Sequence, residues 1–358
     1  MKRRYTFVIF IFAATVIASL GACAPVTRGA RSEKEVTAAM RLAAIRHAQV
    51  WAATDVKSMD LRAGPQGPGG FTPNETVNCD YRDKKMSGRS PKFTCVVPPE
   101  DEIKVKFGRE NGEVYGEVAA SRLFWALGFV ADRMYPVRVV CRGCPPRIRG
   151  TEIASIQRKA PGKELDTSEV SGWAWPELDH VDPGLGGAPR AQRDALKLLA
   201  VFVQHTDSKA EQQRLLCVGE HQKGNEAEPC PATVMMVHDL GLTFGHANRL
   251  NRNSVGSVNL AEWSRAQIWK NPKRCVANLP QSATGTLDNP IIAEDGRKFL
   301  ADLLIQLTDT QLHDLFEASR FPRRSTATDD SPDTTSIAQW VDAFKRKRDE
   351  IVNHVCPS

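Results

Sequence analysis

Tyrosine is scarce here, four in 358 residues, and no RNA- or DNA-binding signature accompanies the basic residues. The net charge of +6 is spread through mixed-sign surface sequence. Nucleic acid is therefore not an expected partner. Past residue 24 no second apolar run is long enough to span a bilayer, which excludes a bundle of membrane helices. No internal repeat marks a solenoid. Gly-x-Ser-x-Gly, His-Glu-x-x-His and paired-carboxylate signatures are all missing, which removes the common hydrolase classes. What remains is a chain 41% apolar, enough to bury a full core as one large domain or two modest ones.

The N-terminus is the most distinctive region by composition. "MKRR" is a basic start, "YTFVIFIFAATVIASL" an apolar stretch, and "LGAC" places small residues before Cys23. This resembles a bacterial lipoprotein signal, with residues 1–22 removed and Cys23 carrying acyl chains. Two or three chains anchor durably because each buried methylene contributes about 0.8 kcal/mol. The resemblance implies a lipid-anchored protein of the bacterial cell envelope, facing periplasm or exterior, with the membrane as a partner through Cys23. An ordinary secretion signal or a retained anchor is the alternative.

Eight cysteines remain after Cys23, an even number that suits an oxidising compartment. Proximity suggests Cys79 with Cys95, Cys141 with Cys144 and Cys217 with Cys230, leaving Cys275 for Cys356. "CRGCPP" also reads as half a zinc site, but no second C-x-x-C or His pair accompanies it, so a short disulfide is the expectation.

A Ser32…Glu35 capping box and helical spacing predict a helix running to Trp51, and "AGPQGPGG" (63–70) breaks it. "TVNCDY" and "KFTCVV" read as a hairpin around "RDKKMSGRSP". "EIKVKF" is a third strand with Ile103, Val105 and Phe107 on one face and Lys104 and Lys106 on the other. A helix is predicted over 116–129 with Gly128 near its C-cap. "MYPVRVVC" and "TEIASIQRK" are further strands. A Trp-bearing loop and an apolar helix over 191–205 follow. Past residue 290 two amphipathic helical stretches flank a polar loop. The predicted class is α+β, sheet first and helices after.

That last apolar helix runs into "HTDSKAEQ", where His205, Asp207, Lys209 and Glu211 match the protein kinase catalytic loop pattern His-x-Asp-x-Lys-x-Glu-Asn. "MMVHDLGLTFG" then places Asp239-Leu240-Gly241 at a strand end, like the kinase Asp-Phe-Gly. The order of elements also resembles a kinase small lobe passing into its large lobe. The resemblance is to atypical kinases, HipA-like and secretory-pathway kinase-like, and spans residues 75–320, although its specific motifs occupy fewer than about thirty residues.

This resemblance implies residues 23–70 as tether and N-terminal helix, 71–165 as small lobe and 166–358 as helical large lobe. It implies Asp207 as base, Lys209 neutralising charge on the transferred phosphoryl group, and Asp239 with Gln212 holding Mg²⁺ or Mn²⁺ on ATP. Lys106 would contact phosphate, with Lys104 the runner-up. Glu117 would be its ion-pair partner, with Glu113 the alternative. A Gly-x-Gly-x-x-Gly loop is missing, and Gly88, Ser87 and Ser90 in "KKMSGRSPK" stand in for it.

Gln212 departs from the family's Asn. One extra methylene displaces the amide by about 1.5 Å, so either the loop has moved, with Gln213 or Glu211 assisting, or one metal position is lost. The first case is an enzyme acting on a protein or polymer substrate. The second is a kinase-like binding module holding an envelope partner or anionic ligand. His238 and His246 near Asp239 offer a weaker metal-cluster reading. Trp173 and Trp175 read as core or groove, and "FKRKRDE" (344–350) as a solvated helix face.

Overall fold

The computed structural model describes residues 35–148, 151, 153–219, 230–245, 257–324 and 336–357. The leader, Cys23, Ser32 and His246 lie outside the described residues. Five strands form a closed barrel: β1 (Thr76–Arg82), β2 (Lys92–Val97), β3 (Asp101–Phe107), β4 (Arg133–Arg142) and β5 (Ala154–Arg158), in the order β1-β2-β3-β5-β4. β1 and β2 are the predicted hairpin, with Tyr81 opposite Cys95. The sequence did not suggest closure, which comes from β1 pairing parallel with β4. Alternation fills the interior with Val77, Phe93, Ile103, Val105, Phe107, Val137 and Ile156.

Before the barrel lies helix α1 (Ala38–Arg46), whose cap is Thr37, its hydroxyl accepting from the Met40 amide. The predicted helix ran to Trp51. Instead Gln49 and Trp51 are extended and bridge Val234 and Phe129. Trp51 Nε1 donates to the Leu127 carbonyl at 2.7 Å, and that contact draws the chain off a helical path. Helix α2 (Glu113–Ala126) follows β3 and starts one turn earlier than its predicted first residue, Gly116. Its buried Arg122 donates to the carbonyls of Leu61 and Arg62, so the 56–64 segment braces α2.

The second half holds β6 (Lys163–Glu164), α3 (Arg190–Phe202), the hairpin β7 (Gln213–Val218) and β8 (Ala232–Val237), α4 (Leu260–Arg265), and short strands β9 (Trp269–Asn271) and β10 (Val276–Ala277). Helices α5 (Glu294–Leu304), α6 (Asp309–Ala318) and α7 (Ile337–Val352) complete it. The first predicted C-terminal helical stretch is two helices, because Thr308 breaks it and caps α6 with Gln311. Trp173 and Trp175 are fully packed into the core. The α+β class read from the sequence is the observed one.

All four cysteine pairs expected from proximity are disulfides. Cys275–Cys356 closes the longest loop, 81 residues, and ties the C-terminus to β10. Replacing both by serine should lower the unfolding free energy by about 3–5 kcal/mol. Urea titration of the oxidised protein checks this, and a change below about 1 kcal/mol would show that the denatured chain is not loosened by the cut.

Candidate active site

Strand alternation sends Lys106 out of the barrel towards α2, where it is completely buried. Glu113 and Glu117 lie four residues apart and share one face of that helix. Lys106 Nζ stands 2.6 Å from Glu117 Oε2, 2.9 Å from Glu113 Oε2 and 3.4 Å from Asp239 Oδ1. The two glutamates weighed as alternatives thus share one ammonium. Glu113 is tied in turn to the hydroxyl of Ser90 in the β1–β2 loop. Gly88 of that loop has φ +81°, and a Cβ there would fall 2.7 Å from Lys92 Nζ.

Two glycines permit the close approach. A Cβ on Gly241 would sit 2.6 Å from Glu113 Cγ, and one on Gly116 3.1 Å from the Gly241 carbonyl oxygen. No side chain fits between α2 and the segment after Asp239, so both glutamates reach the lysine.

Three carboxylates surrounding one buried ammonium leave a surplus of negative charge. Burial pulls the Lys106 pKa down, but Asp239, Glu113 and Glu117 outweigh it and hold the ammonium well above the usual lysine value. Glu117, in the driest position, is pushed by burial up to about 7 against the pull of Lys106. For Asp239, burial is overcome by Lys106, Lys104, His238 and the Gly241 amide, and its carboxyl stays far below the ordinary range. Burial, with Lys106 nearby, lowers Lys104. Lys104 lies on the same strand face and pairs in register with Gln157.

Across from this cluster, Asp207 follows α3. Gln212 Nε2 donates to Asp207 Oδ2 at 2.7 Å, and Lys209 Nζ is 3.9 Å from the same oxygen. Burial raises the Asp207 pKa despite the Gln212 bond and Lys209. The Gln212 carbonyl accepts from the amides of both His238 and Asp239, at 2.8 and 3.2 Å. Gln213 directly faces Val237 at the base of the β7–β8 hairpin. Gln212 and Asp239 are therefore the two ends of one hairpin, and the far end, closed by Cys217–Cys230, has no bearing on their proximity. The Thr206 amide donates to Leu242 and the Phe244 amide to Val203, lacing the Asp207 loop to the Asp239 loop.

Neither proposed helper of Gln212 joins it. Glu211 is exposed, and Gln213 is buried with its amide nitrogen on the Ser208 carbonyl. His205 is buried, and burial lowers its pKa to about 4, so it is neutral.

Sequence reading missed a polar network behind Asp239. The buried Asp132 carboxylate accepts from His238 Nδ1 at 2.6 Å, Gln157 Nε2 at 2.5 Å and the Ala160 amide at 2.8 Å. Arg214 Nη2 lies 2.9 Å from His238 Nε2. Arginine only donates, so Nε2 accepts and Nδ1 carries the proton. Both ring nitrogens of His238 are engaged, which removes it from the metal-ligand candidates. No local motif announces Asp132; only the strands bring its partners to it.

The residues present fit a divalent cation carrying phosphates. Asp239 and the Gln212 amide are hard oxygen donors, and Mg²⁺ uses one or two carboxylates with phosphate oxygens and water completing its shell. Among the described residues these groups belong to no ready cluster of three His, Cys, Asp or Glu ligands.

No family model matches the chain, and no curated protein matches it. Among solved structures it is similar to the Helicobacter pylori proinflammatory kinase CtkA, 12% identical, covering 78% of this chain and 95% of that one with a TM-score of 0.41.

Proposed function

We propose that this chain is an atypical kinase-like phosphotransferase using ATP with Mg²⁺ or Mn²⁺, and that Asp207 is its general base. The observation carrying this reading is the convergence of Lys106, Glu117 and Asp239, brought together from β3, α2 and the end of β8. Asp239 and Gln212 would hold the ion, which supplies charge neutralisation on the polyphosphate. Lys106 would reach phosphate by exchanging its longest contact, the one to Asp239. Asp207 would accept the proton of an acceptor hydroxyl as that oxygen bonds to the terminal phosphorus and the bridging bond breaks. Its raised pKa makes it the better base. Lys209, about one-third exposed, would balance charge on the transferred group.

The Gln212–Asp207 hydrogen bond favours a second reading, because an amide held against the base occupies the oxygen that would take the proton. That reading is a binding module that takes the metal–nucleotide pair, or another anion, without transfer.

Thermal shift of the full chain with ATP and either metal, beside Asp239→Ala, tests the nucleotide site. Ligand at about a hundred times its dissociation constant stabilises by about 2.7 kcal/mol, a rise of a few degrees, and the variant should lose it. A folded protein unmoved by either metal would sink the ATP reading.

The envelope location is part of the same proposal and rests on the leader and Cys23 alone. Among the described residues no helix is long and apolar enough to cross a membrane. Labelled palmitate should enter the parent protein in a bacterial host and not Cys23→Ser, which should leave the membrane fraction. Equal labelling of both would show that Cys23 is not the acylated residue.

A further inference from the structure

The sequence offers only half a zinc motif, Cys141-Arg142-Gly143-Cys144, and barrel closure supplies the other half. Cys79 on β1 stands directly beside Cys141 on β4 in parallel register. Cys95 on β2 is bonded to Cys79, and Cys144 to Cys141. The sulfurs of Cys79, Cys95 and Cys141 all lie within 4.8 Å of one another. In a tetrahedral zinc tetrathiolate with Zn–S near 2.3 Å, neighbouring sulfurs are about 3.8 Å apart. The Cys141 sulfur thus already lies beside the bonded Cys79–Cys95 pair, which would part to ligand spacing on reduction, and the fourth sulfur is attached to Cys141.

Cys79 and Cys95 are fully buried, whereas Cys141 and Cys144 are only partly covered, so the group has one accessible edge. Gly143 has φ +72° with nothing within 4 Å of a Cβ position. Nothing therefore packs against the C-x-x-C turn at Gly143.

We propose that these four cysteines form a two-state site: two disulfides when oxidised, and a structural zinc site when a dithiol has reduced them. Each disulfide accepts two electrons and two protons from one dithiol, which leaves as its own disulfide. The four thiols then lose four protons as they bind Zn²⁺. The oxidised state ties β1 to β2 only, because Cys141–Cys144 is local to the end of β4; the zinc state would tie β4 to both and so hold barrel closure. The other sulfur group, Cys275, His354 and Cys356, offers three ligands, one fewer than a structural zinc site requires.

The test uses the full chain, reduced with dithiothreitol without oxygen, freed of reductant and titrated with Co²⁺ and then Zn²⁺. About one Co²⁺ per chain should bind with the thiolate charge-transfer and tetrahedral ligand-field bands of a CoS₄ centre, and Zn²⁺ should displace it. The signal should persist when Cys217, Cys230, Cys275 and Cys356 are all changed to serine, and vanish in Cys79→Ser/Cys141→Ser. If reduction unfolds the chain, recovery of its circular dichroism on adding one equivalent of Zn²⁺ supports the site. Absence of both refolding and a cobalt spectrum overturns it. A cobalt spectrum that survives Cys79→Ser/Cys141→Ser and is lost with Cys275→Ser/Cys356→Ser also overturns it.

Discussion

Lys106→Met should lower the stability of this protein by about 3–5 kcal/mol at pH 7, a large effect for a single side chain. The substitution keeps most of the apolar stem of the lysine and removes its charged amino group with its three donors. Glu113, Glu117 and Asp239 then face one another with no buried cation in contact, and a carboxylate in that position is strongly disfavoured. The effect should shrink as pH falls from 7 towards 4.5. Without the ammonium, Glu117 is pushed still further above its unfolded value, and Asp239 loses the largest of the charges that hold it down. The folded variant then binds more protons than the unfolded chain, and its stability falls as pH rises through that window.

In the parent, Glu117 already carries a slope of this sign between 4.5 and about 7. Asp239, depressed by Lys106, contributes stability that is lost as pH falls through its folded pKa, below 3.8. Glu117→Gln should therefore flatten the parent's curve across the first interval. Urea midpoints of the parent and both variants at several pH values check the argument. A Lys106→Met penalty independent of pH would mean that the three acids are not electrostatically coupled to it.

Asp207→Asn should lower phosphoryl transfer by about 10²–10⁴-fold, the range of a lost general base, while leaving metal-dependent ATP stabilisation within about twofold. The side chain is isosteric, and the bond from Gln212 Nε2 can still be accepted by the new amide's oxygen. Transfer of labelled phosphate to the chain itself, or to a polymer mixture, supplies the rate. Transfer unchanged in the variant would remove Asp207 from the base role. Nucleotide binding with no transfer in the parent would favour the binding module and give the Gln212–Asp207 contact its meaning.

Several features of the site were legible in the sequence because they depend on local rules. Alternation in "EIKVKF" set Lys106 opposite Val105, and a strand has no freedom to do otherwise. The Asp239-Leu240-Gly241 turn at a strand end and the Asp207 loop at a helix end were readable for the same reason. The partner of Lys106 was only half legible. Sequence spacing placed Glu113 and Glu117 near a helix start, but the start was read a turn late, so they looked like alternatives. The Asp132 network was illegible, since its members come from four separate segments and none is unusual for its own.

By itself the sequence determined the strand and helix faces, the α+β order, the three local cysteine pairs and the two acidic loops, all set by periodicity, caps and short separations. Tertiary structure decided what depends on distant chain segments meeting. It closed the barrel through the parallel β1–β4 pair, and it gave Lys106 three acids where one was expected. It turned both nitrogens of His238 away from metal duty and set Cys79 beside Cys141. Each of these follows from burial and register between residues far apart in the chain, which no local pattern encodes.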